Sequence, residues 1–471
     1  MRPAKANFLG LTAVAAAIVL AVTMVGVGYW PGIMIDDARW QYQQSVDNAY
    51  EDWHPPLMAW IWRRLMFIQP GPAPMLVLQL ALLWGGIALI AYWAIKHGRP
   101  RLALAVALSG WLPASLALSG TVTKDCLMAG ALMTSTGFAL TIDLARSRIG
   151  RAIAGAGSFV FIVFAAALRL NAVIACVPLL LAILPKPLTA TKSRLIASGV
   201  AGAIALSLVG PAVNIALQAE GTDVELSPII FDLGGITEHS GVNTFPDLHV
   251  RDPVAVNHRC YDPVGWDSYS TWSKVPCPLG FEAFQNAKDE DDLNPAKIWL
   301  SAVVRHPLAY AEHRLAHFNL STEFLVPNGP IFTAWSQSVQ NPWGYSIRSN
   351  AIVPAITALA DDGAKTPIGW PIFWISVALA AVVGGMFLKA PAIVIALASS
   401  SFLYGLSYLV FGVAVGMRYY FWTISAGAVA AILVSGEYSS TGSKLRRKAV
   451  AVPALIIALP TAAAILARIV S

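Results

Sequence analysis

The chain has 471 residues, of which 56% are hydrophobic and only 12% charged, with a formal net charge of +6 and a mean hydropathy of +0.61. A water-soluble fold usually carries about a quarter charged residues, so a soluble globule is excluded; repeated apolar runs of roughly 17 to 25 residues predict a polytopic helical membrane protein. The basic balance, with a pI of about 9.1, sits between the hydrophobic runs, where positive-inside bias explains it better than nucleic acid does.

In chain order the apolar runs fall at 8–30, 73–95, 102–119, 126–145, 152–168, 171–185, 195–217, 367–387, 390–412, 418–435 and 449–468. They predict an all-α protein of about eleven transmembrane helices. The first run follows Arg2 and Lys5 and reads as a retained anchor rather than a cleaved signal.

Loop charge tests this count independently. With the N-terminus cytoplasmic, the inward segments hold Arg2 and Lys5; Lys96, Arg99 and Arg101; Arg146, Arg148 and Arg151; Lys186, Lys192 and Arg194; Lys389; and Lys444, Arg446, Arg447 and Lys448. Glu437 is the one acid that breaks the pattern there. The same topology puts 31–72 and the long polar region 218–366 outside.

These boundaries predict three parts. An N-terminal transmembrane module covers 1–217 and includes the first outer loop, 31–72. A mixed extracytoplasmic region of loops and short helices covers 218–366, and C-terminal transmembrane helices cover 367–471. The segment 31–72 predicts an amphipathic interfacial helix, with Trp40, Tyr42, Tyr50 and Trp53 as headgroup anchors, then a short helix after the prolines of HPPLMAWIW. In 294–320, Asn294 and Pro295 predict a helix start, and Pro307 a kink or a split into two helices. A further short surface helix is predicted over 351–360.

The polar residues at the outward mouth of the bundle need a reason, because charge there costs desolvation. Between Tyr29 and Pro56 stand five acids, one arginine and one histidine. Asp36 or Asp37 in a protein-lined cleft can serve as a general base toward an attacking hydroxyl; a solvated turn is the plain alternative. Asp47, Glu51 and Asp52 read as surface acids. His54 suits either a phosphate contact or a helix cap.

Lys124 and Asp125 begin the fourth run, where Asp125 fits a helix cap and Lys124 reaches headgroups. Arg169 interrupts two nearly merged apolar runs and needs a carboxylate, phosphate or water as partner. Arg418 stands alone as a cation at its boundary. Together, Lys124, Arg169 and Arg418 fit a phosphate-containing lipid substrate better than three separate cases of snorkelling do. Arg39, Asn171, Arg314 and Tyr419 complete the candidate substrate or phosphate contacts.

Arg305, His306, His313, Arg314 and His317 loosely follow a helical rhythm and predict a solvated face or a headgroup contact. His313 and His317 lack a third ligand of convincing spacing, so no metal site is predicted. Tyr261, Trp266, Tyr269 and Trp272 suit either stacking on sugar rings or packing on one another. Cys260 and Cys277 lie in the outward region, where a disulfide between them is chemically permitted; two thiols are the alternative.

These residues resemble the GT-C superfamily of membrane glycosyltransferases that use polyprenyl-phosphate sugars, with distant similarity to protein mannosyltransferases and lipid A aminoarabinose transferases. The likeness covers the overall plan and the segments PGIMIDDARWQ, DWHPP, TKD, LRLNA, HPLAYAEHRLAHF and MRYYF. It implies a GT-C-like fold in a bacterial cytoplasmic (inner) membrane with an extracytoplasmic active site. It further implies inverting transfer of a sugar from a polyprenyl-phosphate donor to a glycan, lipid or protein acceptor.

On that reading, Asp36 or Asp37 is the acceptor-activating carboxylate. Asp125 is the candidate for the second outer-loop acid that accompanies it in the family, and Arg169, Arg418 and Lys124 stabilise the departing phosphate. No cofactor is demanded, though a divalent cation is used by some relatives. The rival readings are a polar-lipid transporter, which predicts polar residues mid-span or paired repeats, and a non-catalytic envelope assembly protein.

Overall fold

The computed structural model describes residues 3–327, 334–438 and 443–470, the side chains of 3–7 and 443–446 excepted. Of the residues cited above for loop charge, Arg2 and the side chains of Lys5, Lys444 and Arg446 lie outside that description. Among the described residues the secondary structure is helical, apart from three isolated bridges.

The apolar run after the N-terminus forms α1 (Pro3–Gly28). The first outer segment follows as α2 (Asp36–Asp47) and α3 (Leu57–Leu65), and α4 (Ala73–Lys96) is the second long apolar helix. The run 102–119 breaks into α5 (Pro100–Ser109) and α6 (Pro113–Ser119), bent by 58°. Gly110 and Pro113 flank the break, and proline cannot sit inside a continuous helix without losing a hydrogen bond.

Thr123 caps α7 (Lys124–Thr141) by accepting from the Cys126 amide at 3.2 Å. Gly86 of α4 lies against the backbone of Met133 and Thr134 so tightly that a Cβ would fall 2.5 Å from the Thr134 nitrogen. Thr134 Oγ1 donates to Leu82 O at 2.6 Å across the same contact. Small residues and hydroxyls at helix contacts are how membrane bundles gain close packing. Ser147 caps α8 (Arg148–Ala166); α9 (Ala172–Ile183), α10 (Lys186–Thr189), α11 (Lys192–Ser207) and α12 (Val209–Leu217) continue the module.

Eight helices among the described residues are long and apolar enough to cross a membrane, nine if the bent pair counts as one span. The expected eleven further include α7, buried almost throughout and rich in Ser and Thr, and the 12-residue α9.

The polar region holds α13 (Leu226–Ser240), α14 (Pro253–Cys260), α15 (Phe281–Glu290), α16 (Pro295–Arg305) and α17 (Pro307–Thr322). Asn294 caps α16, accepting from the Lys297 amide at 2.9 Å, and Pro307 ends it, so 294–320 is two helices rather than one bent one. Cys260 and Cys277 are joined by a disulfide, their Cα atoms 5.8 Å apart. The helix predicted over 351–360 is α18 (Ile352–Ala364). The chain ends with α19 (Pro371–Leu388), α20 (Ala392–Phe411), α21 (Phe421–Gly436) and α22 (Ser443–Val470).

The chain forms two compact units. One comprises Met1–Glu220, Thr333–Gly405 and Met417–Ala462; the other comprises Gly221–Phe332, Leu406–Gly416 and Ala463–Ser471.

Candidate functional site

The first unit gathers most of the predicted polar residues around the start of α2. After α1 the chain turns at Gly32, whose φ of +117° suits glycine. Ile33 then pairs with the backbone of 120–122: its amide donates to Gly120 O at 3.1 Å, and Val122 N donates to Ile33 O at 2.9 Å. Gly120 admits this approach because a Cβ there would collide with the Tyr29 ring. On the other side Val339 N donates to Met34 O at 2.9 Å. The two pairings fix the N-terminus of α2 beside Lys124 on one flank and the 334–339 segment on the other.

Asp36 and Asp37 then part. Asp36 is 76% exposed and meets only Arg39, at 3.3 Å. Asp37 turns inward and accepts from Arg418 Nη1 at 3.0 Å, with His54 Nε2 3.9 Å away. Lys124 Nζ lies 2.5 Å from His54 Nδ1. Burial pushes the Asp37 carboxyl up, but the Arg418 guanidinium, seconded by the Lys124 ammonium, overcomes this and holds it well below the usual carboxylate range. Burial and then the Lys124 ammonium hold the His54 imidazole down to about 3. His54 is therefore neutral, and Nδ1 accepts from Lys124.

Asp125, 1% exposed, is paired with Arg169. Arg169 also donates through Nε to Asn171 Oδ1 at 3.3 Å. Tyr419 joins the two halves: Arg418 Nη2 donates to its hydroxyl at 2.9 Å, and its ring lies under both guanidiniums, 4.8 Å from Arg418 and 5.5 Å from Arg169. The Trp335 ring stands 5.7 Å from Arg418. Three largely enclosed cations face two carboxylates with a neutral imidazole, which leaves one positive charge.

Of the predicted residues, Asp37, His54, Lys124, Asp125, Arg169, Asn171, Arg418 and Tyr419 thus come together. Asp36 and Arg39 instead form a surface pair at the edge of α2. Asp125 is held by the guanidinium of Arg169 as Asp37 is by that of Arg418. Arg314 belongs to the other unit, where it is 4% exposed and committed to Asp232 at 2.6 Å and to Gly412 O at 2.6 Å. Trp335 was not anticipated, since nothing in its local sequence separates it from other loop aromatics.

The second unit has its own buried network. His313, fully buried, lies between Tyr261 OH at 2.9 Å and Asp232 Oδ1 at 3.2 Å, while Trp299 Nε1 donates to Asp232 Oδ2 at 2.7 Å. His317 Nδ1 donates to Pro263 O at 2.8 Å; burial holds its imidazole down to about 4. The exposed, solvated face expected for His313, Arg314 and His317 is instead an interior one. Tyr42 likewise is no headgroup anchor: it is 1% exposed and packs on Trp62, Trp343 and Tyr345.

No group of three His, Cys, Asp or Glu side chains that could hold a metal ion occurs among the described residues. Both carboxylates of the Asp37 cluster are matched by guanidiniums, so the residues present do not make a divalent-cation site.

The long apolar helices and the absence of a sheet among the described residues define an all-α multi-pass membrane protein. No family profile and no curated protein matches its sequence. Two solved structures are similar to it. One is ArnT from Cupriavidus metallidurans bound to undecaprenyl phosphate, with a TM-score of 0.33 and 16% identity over 91% of this chain and 78% of that one. The other is the archaeal oligosaccharyltransferase AglB from Archaeoglobus fulgidus in complex with an inhibitory peptide and a dolichol-phosphate, with a TM-score of 0.39 and 13% identity over 98% of this chain and 56% of that one.

Proposed function

We propose that this chain is an inverting glycosyltransferase that moves a sugar from a polyprenyl-phosphate donor to an extracytoplasmic glycan, lipid or protein acceptor. The observation that carries the reading is the Asp37 cluster: a carboxylate beside a surplus of largely enclosed positive charge, on the face that loop charge predicts to be outward. A hydroxyl acceptor needs a carboxylate to orient it and take its proton. A departing phosphate needs cations already aimed at the charge it develops.

In the proposed reaction the acceptor oxygen bonds to the anomeric carbon from the face opposite the phosphate, and the bond from that carbon to the phosphate oxygen breaks. The acceptor proton passes to Asp37. Arg418, Arg169 and Lys124 meet the phosphate, with the Tyr419 ring under both guanidiniums. Asp37 at rest is a weak base because Arg418 lies against it. Phosphate entering the cluster competes for Arg418 and relieves that depression.

The test is transfer by the purified chain from a panel of polyprenyl-phosphate sugars. Asp37→Asn should lower the rate by about 10² to 10⁴, with the melting temperature recorded alongside. Transfer undiminished in Asp37→Asn would sink the assignment of the base.

A further inference from the structure

A basic groove lies wholly within the other unit and shares no residue with the Asp37 cluster. A groove of about 380 Å³ runs between the 242–245 turn and α16, lined by Asn243, Thr244, Lys297, Ser301, Arg305 and His306 on its polar side. No carboxylate is among its lining residues. Neither the Lys297 ammonium nor the Arg305 guanidinium meets a carboxylate among the described residues. Cations that line a concavity without a counter-charge are matched to an anionic ligand.

The helix itself indicates which anion. Lys297, Ser301 and Arg305 are spaced by four, so they form one row along α16. The neighbouring row is Leu300 and Val304, continued by Leu308 at the start of α17; these are 54%, 69% and 78% exposed. A basic row flanking an exposed aliphatic row is the pattern of a helix lying in a membrane interface.

Contacts inside the same unit tie this helix pair to the ends of two apolar helices. Arg314 of α17 donates to Gly412 O, the residue after α20 ends. Arg468, near the end of α22, donates to Glu323 O at 2.9 Å, where α17 terminates. Apolar helix ends are where hydrocarbon gives way to headgroups, and the exposed aliphatic row of α16 and α17 suits that level.

The geometry points to a binding site for an anionic phospholipid, its headgroup phosphate held by Lys297, Arg305 and His306 and its acyl chain laid along Leu300, Val304 and Leu308. The same phosphate chemistry is offered by a soluble phosphate, so the probes must separate the two. The full chain in neutral detergent is titrated calorimetrically with dihexanoyl phosphatidylglycerol, dihexanoyl phosphatidylcholine and inorganic phosphate.

The anionic lipid should bind more tightly than the zwitterionic one, and Lys297→Gln with Arg305→Gln should weaken it about tenfold or more. Leu300→Ser with Val304→Ser should weaken it as well. Inorganic phosphate binding as tightly as the anionic lipid would reassign the groove to a soluble anion and overturn the proposal. Equal binding of the two lipids, or no loss in the Gln variant, would overturn it too. If the Gln variant melts early, Lys297→Arg with Arg305→Lys restores the charge, and must restore binding. Because the readout is lipid affinity, it is independent of whether the chain transfers a sugar.

Discussion

The Asp125–Arg169 pair allows the electrostatics of the cluster to be separated from its chemistry. Asp125 is 1% exposed and Arg169 12%, so removing either charge leaves the other in a poorly solvated place. Breaking a buried pair from one side costs about 3–5 kcal/mol, whereas replacing both members by neutral groups of similar shape is far cheaper. Asp125→Asn should therefore destabilise strongly, with Arg169 left cationic among Asn171 and the Tyr419 ring. Arg169→Gln should cost at least as much, because the stranded carboxylate is the more deeply buried partner.

The double variant should recover a large part of either loss, with a coupling of roughly 2 kcal/mol or more. Equilibrium unfolding in mixed micelles measures all four corners of the cycle. Losses that simply add would refute the pairing. The double variant also isolates chemistry: it should fold, yet transfer about 10² to 10³ times more slowly for want of the Arg169 guanidinium. A folded double variant that transfers at the native rate would show that Arg169 does not serve the leaving group.

Three further outcomes are expected. Asp36→Asn should change stability by under about 1 kcal/mol, since an exposed ion pair is screened, and transfer should stay within about twofold; a loss matching that of Asp37→Asn would reverse the choice between them. The His54 pKa is lowered on folding, so the protein gains stability from it fully above the unfolded value of about 6.5 and loses that gain as pH falls toward about 3. Between pH 7 and 5 the loss should be about 2 kcal/mol, and the melting profile of His54→Asn should be flatter over that window; an unchanged profile would contradict a neutral, buried His54. Replacing Cys260 and Cys277 by Ser opens a bridge of sequence separation 17, which should cost about 2–4 kcal/mol in thermal unfolding; an unaltered transition would show that the 260–277 segment is held by its packing alone.

Where the sequence was legible, the reason is local. Apolar length and turn residues marked the runs that became helices, while the bend of the third near Gly110 and Pro113 was not foreseen. Asn294 and Pro307 announce the start of α16 and the step to α17. Asp36 against Asp37 was not decidable, because neighbouring residues on a helix diverge by about 100° and only the partner on a distant segment, Arg418, reveals which one faces in. The same holds for His313 and Arg314. Their helical rhythm was visible, but a rhythm of polar residues does not say whether the face meets water or Asp232. Tyr42 was misread for a like reason: an aromatic in an amphipathic segment suits an interface as well as a core, and Trp343 and Tyr345 lie far along the chain.

On the proposed mechanism, Arg418 serves both the stability of the cluster and its reaction. At rest the guanidinium is shared by Asp37 and the Tyr419 hydroxyl, which keeps a buried cation compensated. That same contact makes Asp37 a poor base, and on the proposed mechanism this has a use. A phosphate that draws Arg418 toward itself removes the largest favourable interaction of the ionised carboxylate, so its proton affinity rises when a donor is present. Lys124, which donates to the neutral His54, supplies on the proposed mechanism the extra positive charge that favours the incoming phosphate. On the proposed mechanism base strength would be coupled to donor binding through one arginine, and replacing Arg418 by a neutral residue would uncouple them: Asp37 would be more basic throughout, while the leaving group would have lost one of its cations.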